Sequence, residues 1–474
     1  MLFNSPDYIL FLALTVAGFW LLARFAQARI SFIFLASCLF YMAWHPAYIV
    51  LILGSTLVDY VAGLRIHATE SQRGKKAWLL VSLVTNLGLL GVFKYFNFAS
   101  QASADLLSIF FGIDVHAPFL NVLLPVGISF YTFQTLSYTI DIYRGKLEPT
   151  RNFFQFAFFV TYFPQLVAGP IVRASQLLPQ LARKITLKKD QVTEGLFLIA
   201  TGLVKKVAIA DYLSVNLVDR VFDQPELFTT GEVIVALYGF TMQIYCDFSG
   251  YTDCARGSAK LMGLELPRNF DRPYQSTSPA EFWRRWHMTL STWLRDYLYF
   301  PLGGSRRGPV RAYWNLWLTM FLIGIWHGAS WTFVFYAILQ ANAMIIHRFF
   351  YRRSGRTRDT QDTWAMRAFK VFWALQFVVF SRILFRATSL QNAADVTLQL
   401  GDGSLALNHL PIEILAMLVV TFVLHYLPKR WFEWIQHTFQ GLPAPAQGLV
   451  LAAVGFALGQ IATGEVVPYI YFQF

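Results

Sequence analysis

Two histidines stand out as groups able to do chemistry. One is His327, in Gly324-Ile-Trp-His-Gly-Ala329 at the junction of two apolar runs, and the other is His287, which follows Arg284-Arg-Trp286. An ionisable side chain at membrane depth is expensive and is by default a functional candidate. Gly324, Gly328 and Ala329 remove bulk around His327 and let another group come close. The same glycines also suit plain helix–helix contact, and a lone histidine on an apolar face often only packs. A neutral imidazole near pH 7 is suited to act as general base on a hydroxyl. Other chemistries lack their residues: there is no His-Glu-x-x-His run, no paired cysteine, no Gly-x-Ser-x-Gly and no phosphate-cradling glycine loop. No metal, permanently bound cofactor or nucleic-acid partner is expected.

The surroundings of His287 predict a helix over 279–299. Trp283, Trp286, Leu290, Trp293 and Tyr297 recur at steps of three and four, giving one aromatic face. Arg284, His287, Ser291 and Arg295 recur at the same steps, displaced by one residue or about 100° around the helix. Such a helix can lie in the membrane interface with no further role, but that role needs no imidazole. Arg268, Arg272, Arg284, Arg285, Arg295, Arg306 and Arg307 form a cationic cluster suited to phosphates, of which coenzyme A carries several. Ordinary positive-inside charge explains any single one of them equally well. Asp247 and Asp253 are secondary candidates for orienting a histidine; carboxylates so placed more often cap helices or pair with cations. Lys205, Lys206 and Asp211 interrupt an apolar run, where internal pairing or snorkelling accounts for them.

These residues must be held by a membrane body. Of the 474 residues, 56% are hydrophobic, 17% aromatic and 14% charged, against about 25% charged in soluble domains. Disorder, a soluble globular enzyme and a disulfide scaffold (only three cysteines) are all excluded. Candidate spans of the length a bilayer requires fall at about 8–23, 30–44, 47–64, 77–93, 117–140, 193–218, 231–247, 312–326, 329–347, 365–387, 410–427 and 446–463. The expectation is an all-α polytopic protein of about 10–12 spans forming a single domain over 1–474.

Basic residues set the orientation. Arg24 and Arg29 follow the first run while only Asp7 precedes it, which puts the N-terminus outside. That first run reads as an anchor: Ala26-Gln27-Ala28 faintly resembles a cleavage site, but no basic segment precedes it. Arg65–Lys76, Arg144–Arg151 and Arg348–Arg358 then fall inside, and the base-poor connectors 95–116, 219–232 and 388–409 fall outside, with Phe474. Residues 153–172 are apolar between two basic flanks and contain Pro164 and Gly169-Pro170. Broken backbone at membrane depth is tolerated when buried in protein or lining a wet cavity. The segment is therefore expected to be re-entrant, with a funnel or cavity in the body; two kinked half-helices are the plainer reading.

Phe282-Trp-Arg-Arg-Trp-His-Met-Thr-Leu-Ser-Thr-Trp-Leu-Arg-Asp-Tyr-Leu-Tyr299, with Trp326-His327-Gly328 downstream, resembles the signature of the membrane-bound O-acyltransferase (MBOAT) family. The likeness is closest to its bacterial alginate O-acetyltransferase branch. It extends through Met1-Leu-Phe-Asn-Ser5, Leu124-Pro-Val-Gly-Ile-Ser-Phe-Tyr131, Ala168-Gly-Pro-Ile171, Asp247-Phe-Ser-Gly-Tyr251, Leu302-Gly-Gly-Ser-Arg-Arg307 and Tyr471-Phe-Gln-Phe474. The resemblance implies a bundle enclosing a funnel, His327 as catalytic residue and His287 as its partner. It also implies an acetyl group drawn from acetyl-CoA in the cytoplasm and delivered to a periplasmic polysaccharide, often through periplasmic acetyltransferase and polymer-synthesis partners, at the bacterial inner membrane. Arg284, Arg285, Ser291, Arg295, Trp326, Asp247, Asp253 and Tyr471 are carried as substrate-binding candidates. Tyr469 or Tyr471 could briefly hold the acyl group, although an interfacial aromatic belt explains both. The acceptor stays open among alginate, cellulose, another exopolysaccharide and peptidoglycan. A transporter or polymer-export channel would share the broken helices and buried polar groups, and a purely structural membrane subunit is the third reading.

Overall fold

The computed structural model describes residues 1–355, 362–462 and 467–470, and every regular element among them is helical. By length and apolarity, five helices among the described residues can cross a membrane: Pro46–Ala68, Gln72–Phe111, Trp331–Arg353, Trp364–Arg386 and Ala444–Ile461. A sixth crossing is the pair Ile412–Tyr426 and Lys429–Gly441, bent by 93° at Leu427-Pro428. Pro6–Leu21 and Ala26–Met42 are shorter apolar helices. Large apolar side chains such as Val84, Phe110, Leu449 and Phe456 face outward, as lipid contact requires. The protein is a polytopic, all-α membrane protein.

The chain divides into two compact units. The first comprises residue 1 and residues 5–187 with 262–266. Its helix Ile128–Tyr143 is buried along nearly its whole length. Polar groups survive in this apolar setting because they satisfy one another. The buried Asp59 carboxylate accepts from Ser82 Oγ (2.6 Å) and Asn86 Nδ2 (2.8 Å), and Thr135 donates to Asn86 Oδ1 (3.1 Å). Two expectations are corrected here. The connector placed at 95–116 is helical as far as Phe111, since a π-turn at Gly91–Tyr95 widens the helix without ending it. The span placed at 117–140 starts only at Ile128, because Pro118 and Pro125 lie in non-helical chain and Gly127 turns with φ +79°. Residues 153–172 form two short helices, Phe153–Thr161 and Phe163–Leu166, broken at Tyr162 before Pro164 and buried from Phe156 to Val172.

The second unit comprises residues 2–4, 188–261 and 267 onward. Its longest element is Thr230–Leu261, 32 residues. Lys189–Leu203 packs along it so closely that a Cβ at Gly202 would lie 2.7 Å from the Gly250 carbonyl oxygen. Both histidines belong to this unit.

Candidate active site

Helix Pro309–His327 ends at the histidine itself, and Trp331–Arg353 begins four residues later. The two helices pack tightly. A Cβ on Gly324 would sit 2.4 Å from Ala337 Cα, and one on Gly328 would sit 2.1 Å from the Phe333 ring. Neither position has room for another residue. The His327 ring folds back over its own helix, with Nδ1 2.7 Å from the Ile323 carbonyl oxygen. A carbonyl can only accept, so Nδ1 carries a proton, and in the neutral form of the ring the lone pair then lies on Nε2.

His287 is positioned by a break in the expected helix. The stretch 279–299 is not continuous: Pro279–Arg285 and Met288–Leu294 are separate helices, followed by a π-turn at Arg295–Tyr299. The two faces therefore do not run along one continuous helix, although Trp283, Trp286, Leu290, Trp293 and Tyr297 are all buried and Arg284 and Arg295 exposed; His287 departs from the polar set by being buried. His287 sits at the break with φ +43°, one of two non-glycine residues with positive φ among those described, the other being Arg272. Such a conformation costs about 1–3 kcal/mol and persists only where the surroundings impose it. Here the imposing residue is Asn269. Its carbonyl accepts from Met288 N (2.9 Å), and its Oδ1 accepts from Thr289 N (3.1 Å) and Thr289 Oγ1 (2.9 Å). Upstream, Ser278 caps the first helix by accepting from Glu281 N (3.2 Å), and Glu281 accepts from Thr277 and Arg285.

The two imidazoles meet through one indole. Trp326 has its ring centroid 5.2 Å from that of His327 and 5.7 Å from that of His287. Phe385 (5.4 Å), Tyr336 (6.3 Å) and Trp283 (6.5 Å) complete the wall around His327, and Phe248 (4.8 Å) packs on His287. Trp283 Nε1 donates to Gln340 (3.2 Å), whose amide donates on to Ser381 (3.3 Å). His327 is 2% exposed and His287 fully buried, each enclosed by protein. Burial first, and then the nearby His327, hold His287, which lies outside the membrane-spanning helices, well below its ordinary imidazole value.

A cavity of about 640 Å³ lies in the same unit. Phe197, Phe432, Phe439, Leu451 and Val454 line its apolar part, and Arg256, Arg268, Arg272 and Lys429 lie among its polar residues with Glu194, Asp253 and Asp271. Neither histidine lines it. Its wall residue Phe270 packs on Trp286 (5.0 Å) and on Phe248 (5.1 Å), and Phe248 in turn packs on His287, so a chain of aromatic contacts links the cavity wall to the imidazole.

Of the residues singled out in the sequence, His287, Trp326 and His327 come together. Arg284 is exposed, and Arg285 binds Glu281 (2.8 Å) and the Asp271 carbonyl (3.1 Å). Arg295 pairs with its neighbour Asp296 (2.7 Å), and Ser291 donates to the Trp286 carbonyl (3.5 Å). Asp253 pairs with Lys205 (2.5 Å). Asp247 accepts from Lys206 (2.8 Å) and from Ile470 N (2.9 Å), while Lys206 also reaches Asp211 (2.7 Å). Tyr469 is 1% exposed beside that ion cluster, with Lys206 Nζ 4.4 Å from its ring; Tyr471 lies outside the described residues. Sequence reasoning missed Asn269 and Arg382. Asn269 carries no signal in the sequence, and Arg382 shows only as a cation within an apolar run.

This is the class of a polytopic membrane protein with a histidine site sealed in its helical body. The chain belongs to the MBOAT, membrane-bound O-acyltransferase family, whose profile matches residues 149–389. It is similar to probable alginate O-acetylase AlgI of Pseudomonas putida, at 36% identity over the full length of both chains. It is also similar to the peptidoglycan O-acetyltransferase of Helicobacter pylori, at 33% identity over 87% of this chain and 82% of that one. The teichoic acid D-alanyltransferase of Bacillus subtilis is 29% identical over 50% of this chain and 62% of its own. The protein is a membrane O-acyltransferase.

Proposed function

We propose that this enzyme moves an acetyl group from acetyl-CoA on the cytoplasmic side toward hydroxyls of a periplasmic exopolysaccharide such as alginate, directly or through a periplasmic acetyltransferase partner. On this reading it sits in the bacterial inner membrane with both termini periplasmic. The full-length similarity to a probable alginate O-acetylase favours alginate, and the similarity to a peptidoglycan O-acetyltransferase supports that polymer as the second reading. Five cations against three carboxylates among the cavity's lining residues (Lys205, Arg256, Arg268, Arg272 and Lys429 against Glu194, Asp253 and Asp271) favour an anionic donor nearby.

One observation carries the mechanism: the His327 Nδ1 contact to Ile323 O at 2.7 Å leaves Nε2 basic. In this mechanism Nε2 takes the proton of the acceptor hydroxyl as its oxygen attacks the thioester carbonyl. The tetrahedral intermediate then expels the thiolate, which leaves as thiol with the proton held on His327. His287, across Trp326, orients the thioester. His327→Ala is expected to lower polymer-bound acetate in cells by about 10²–10⁴-fold with the amount of protein in the membrane unchanged. Wild-type acetylation by that variant overturns the mechanism. Purified protein that moves no labelled acetyl from acetyl-CoA would favour a transporter.

A further inference from the structure

Arg382 lies in the helix Trp364–Arg386 and is 1% exposed. A guanidinium stays protonated at any physiological pH, so this is a permanent cation inside the membrane body. No carboxylate among the described residues pairs with it. Its planar head lies 5.0 Å from the Trp286 ring centroid and 5.2 Å from that of Phe385. Its other neighbours are neutral: the phenols of Tyr274 and Tyr336 lie close enough to interact with its charge, and Tyr274 donates its own proton to Thr241 O (2.6 Å). Nε and Nη2, the two groups on the side edge of the guanidinium, have no acceptor in the structure.

That edge is the fork with which arginine holds an anionic oxygen. Buried charge without a counter-ion is strongly unfavourable, and aromatic faces offset only part of the cost. The place it occupies supplies a reason. Phe385 packs on both Arg382 and His327, and Trp286, the other ring beside the guanidinium, is the residue before His287.

We propose that Arg382 is a further catalytic residue, which receives the negative charge that develops on the acyl oxygen during transfer. The inference rests on the reading of His327 as the base. As the acceptor oxygen bonds to the thioester carbon, the carbonyl π pair moves onto its oxygen, and Nε–H and Nη2–H of Arg382 donate to that oxyanion. When the pair returns, the carbon–sulfur bond breaks and the thiolate takes the proton from His327.

The test uses the purified full-length protein, labelled acetyl-CoA and an alginate oligosaccharide, with thermal melting measured in the same detergent. R382Q is expected to lower kcat by about 10²–10³-fold, the effect of losing an oxyanion donor, with KM within threefold. Its Tm stays equal or rises, because removing an unpaired buried charge relieves the fold. Should R382Q fail to fold, R382M, apolar and of similar length, takes its place. A raised KM with wild-type kcat, wild-type kinetics throughout, or unfolding of both variants would overturn the proposal. H327A run alongside separates the two ideas: activity in H327A refutes the base, whereas an inactive H327A beside a fully active R382Q refutes Arg382 alone.

Discussion

Asn269→Ala tests whether the backbone at His287 is held in place by its neighbour. The side chain is buried, and its Oδ1 accepts both from Thr289 N at 3.1 Å and from Thr289 Oγ1 at 2.9 Å. Truncation leaves the backbone N–H, itself buried, without its acceptor, at a cost of about 1–3 kcal/mol. The hydroxyl loses a further ~1 kcal/mol, although it can rotate toward another acceptor. The left-handed turn then loses about 3 kcal/mol of support, at the top of the range of its own conformational penalty. At about 1.4 kcal/mol per factor of ten, the properly placed ring becomes roughly 10²-fold rarer. The expected outcome is a drop in kcat of that size with little change in KM, measured as labelled acetyl transferred per mole of folded protein. Thr289→Val removes only the hydroxyl contact, and a decrease of about fivefold is expected from ~1 kcal/mol. Full activity in N269A, alongside an inactive H287A, would refute the claim that Asn269 sets the geometry of the site.

Two further substitutions probe the scaffold. Lys206→Met leaves Asp211 and Asp247 buried without their shared cation; a loss of about 3–5 kcal/mol is expected, read as a sharp fall in the monodisperse fraction on size exclusion in detergent. Gly324→Ala drives a methyl to 2.4 Å from the Ala337 backbone. Overpacking of this kind costs about 1–3 kcal/mol, and displacement of the His327 turn is expected to lower acetyl transfer by roughly 10²-fold, with membrane levels reduced far less.

Much of the architecture could be read before any coordinates. Apolar runs of bilayer length became helices at Pro46–Ala68, Trp331–Arg353, Trp364–Arg386 and Ala444–Ile461, because hydrophobicity alone selects them. His327 was conspicuous as an ionisable group between apolar runs and His287 as the one imidazole between arginines, and the structure sets them on either side of Trp326. What escaped depends on contacts distant in the chain. The helical periodicity of 279–299 is genuine, yet Asn269 captures the backbone at Met288 and Thr289 and breaks the helix. Arg382 lies one turn before Arg386, where a cation near a span's end reads as one reaching for headgroups; only the fold reveals that Arg386 pairs with Asp219 (2.6 Å) while Arg382 turns inward. Asp247 and Asp253 were only secondary candidates for orienting a histidine, and the more frequent role, pairing with cations, is the one they take with Lys206 and Lys205, more than forty positions upstream.

The two halves of the site differ in how far they can yield. At Gly324 and Gly328 the helical hairpin beneath His327 is already in contact, so that ring has almost no freedom to step aside. The ring at 287 rides instead on a link between two seven-residue helices, backed by Phe248 and, through Trp286, by Phe270 at the edge of the cavity. A shift of Phe270 in the cavity wall therefore reaches His287 through Trp286 and Phe248, while His327 stays fixed on its hairpin.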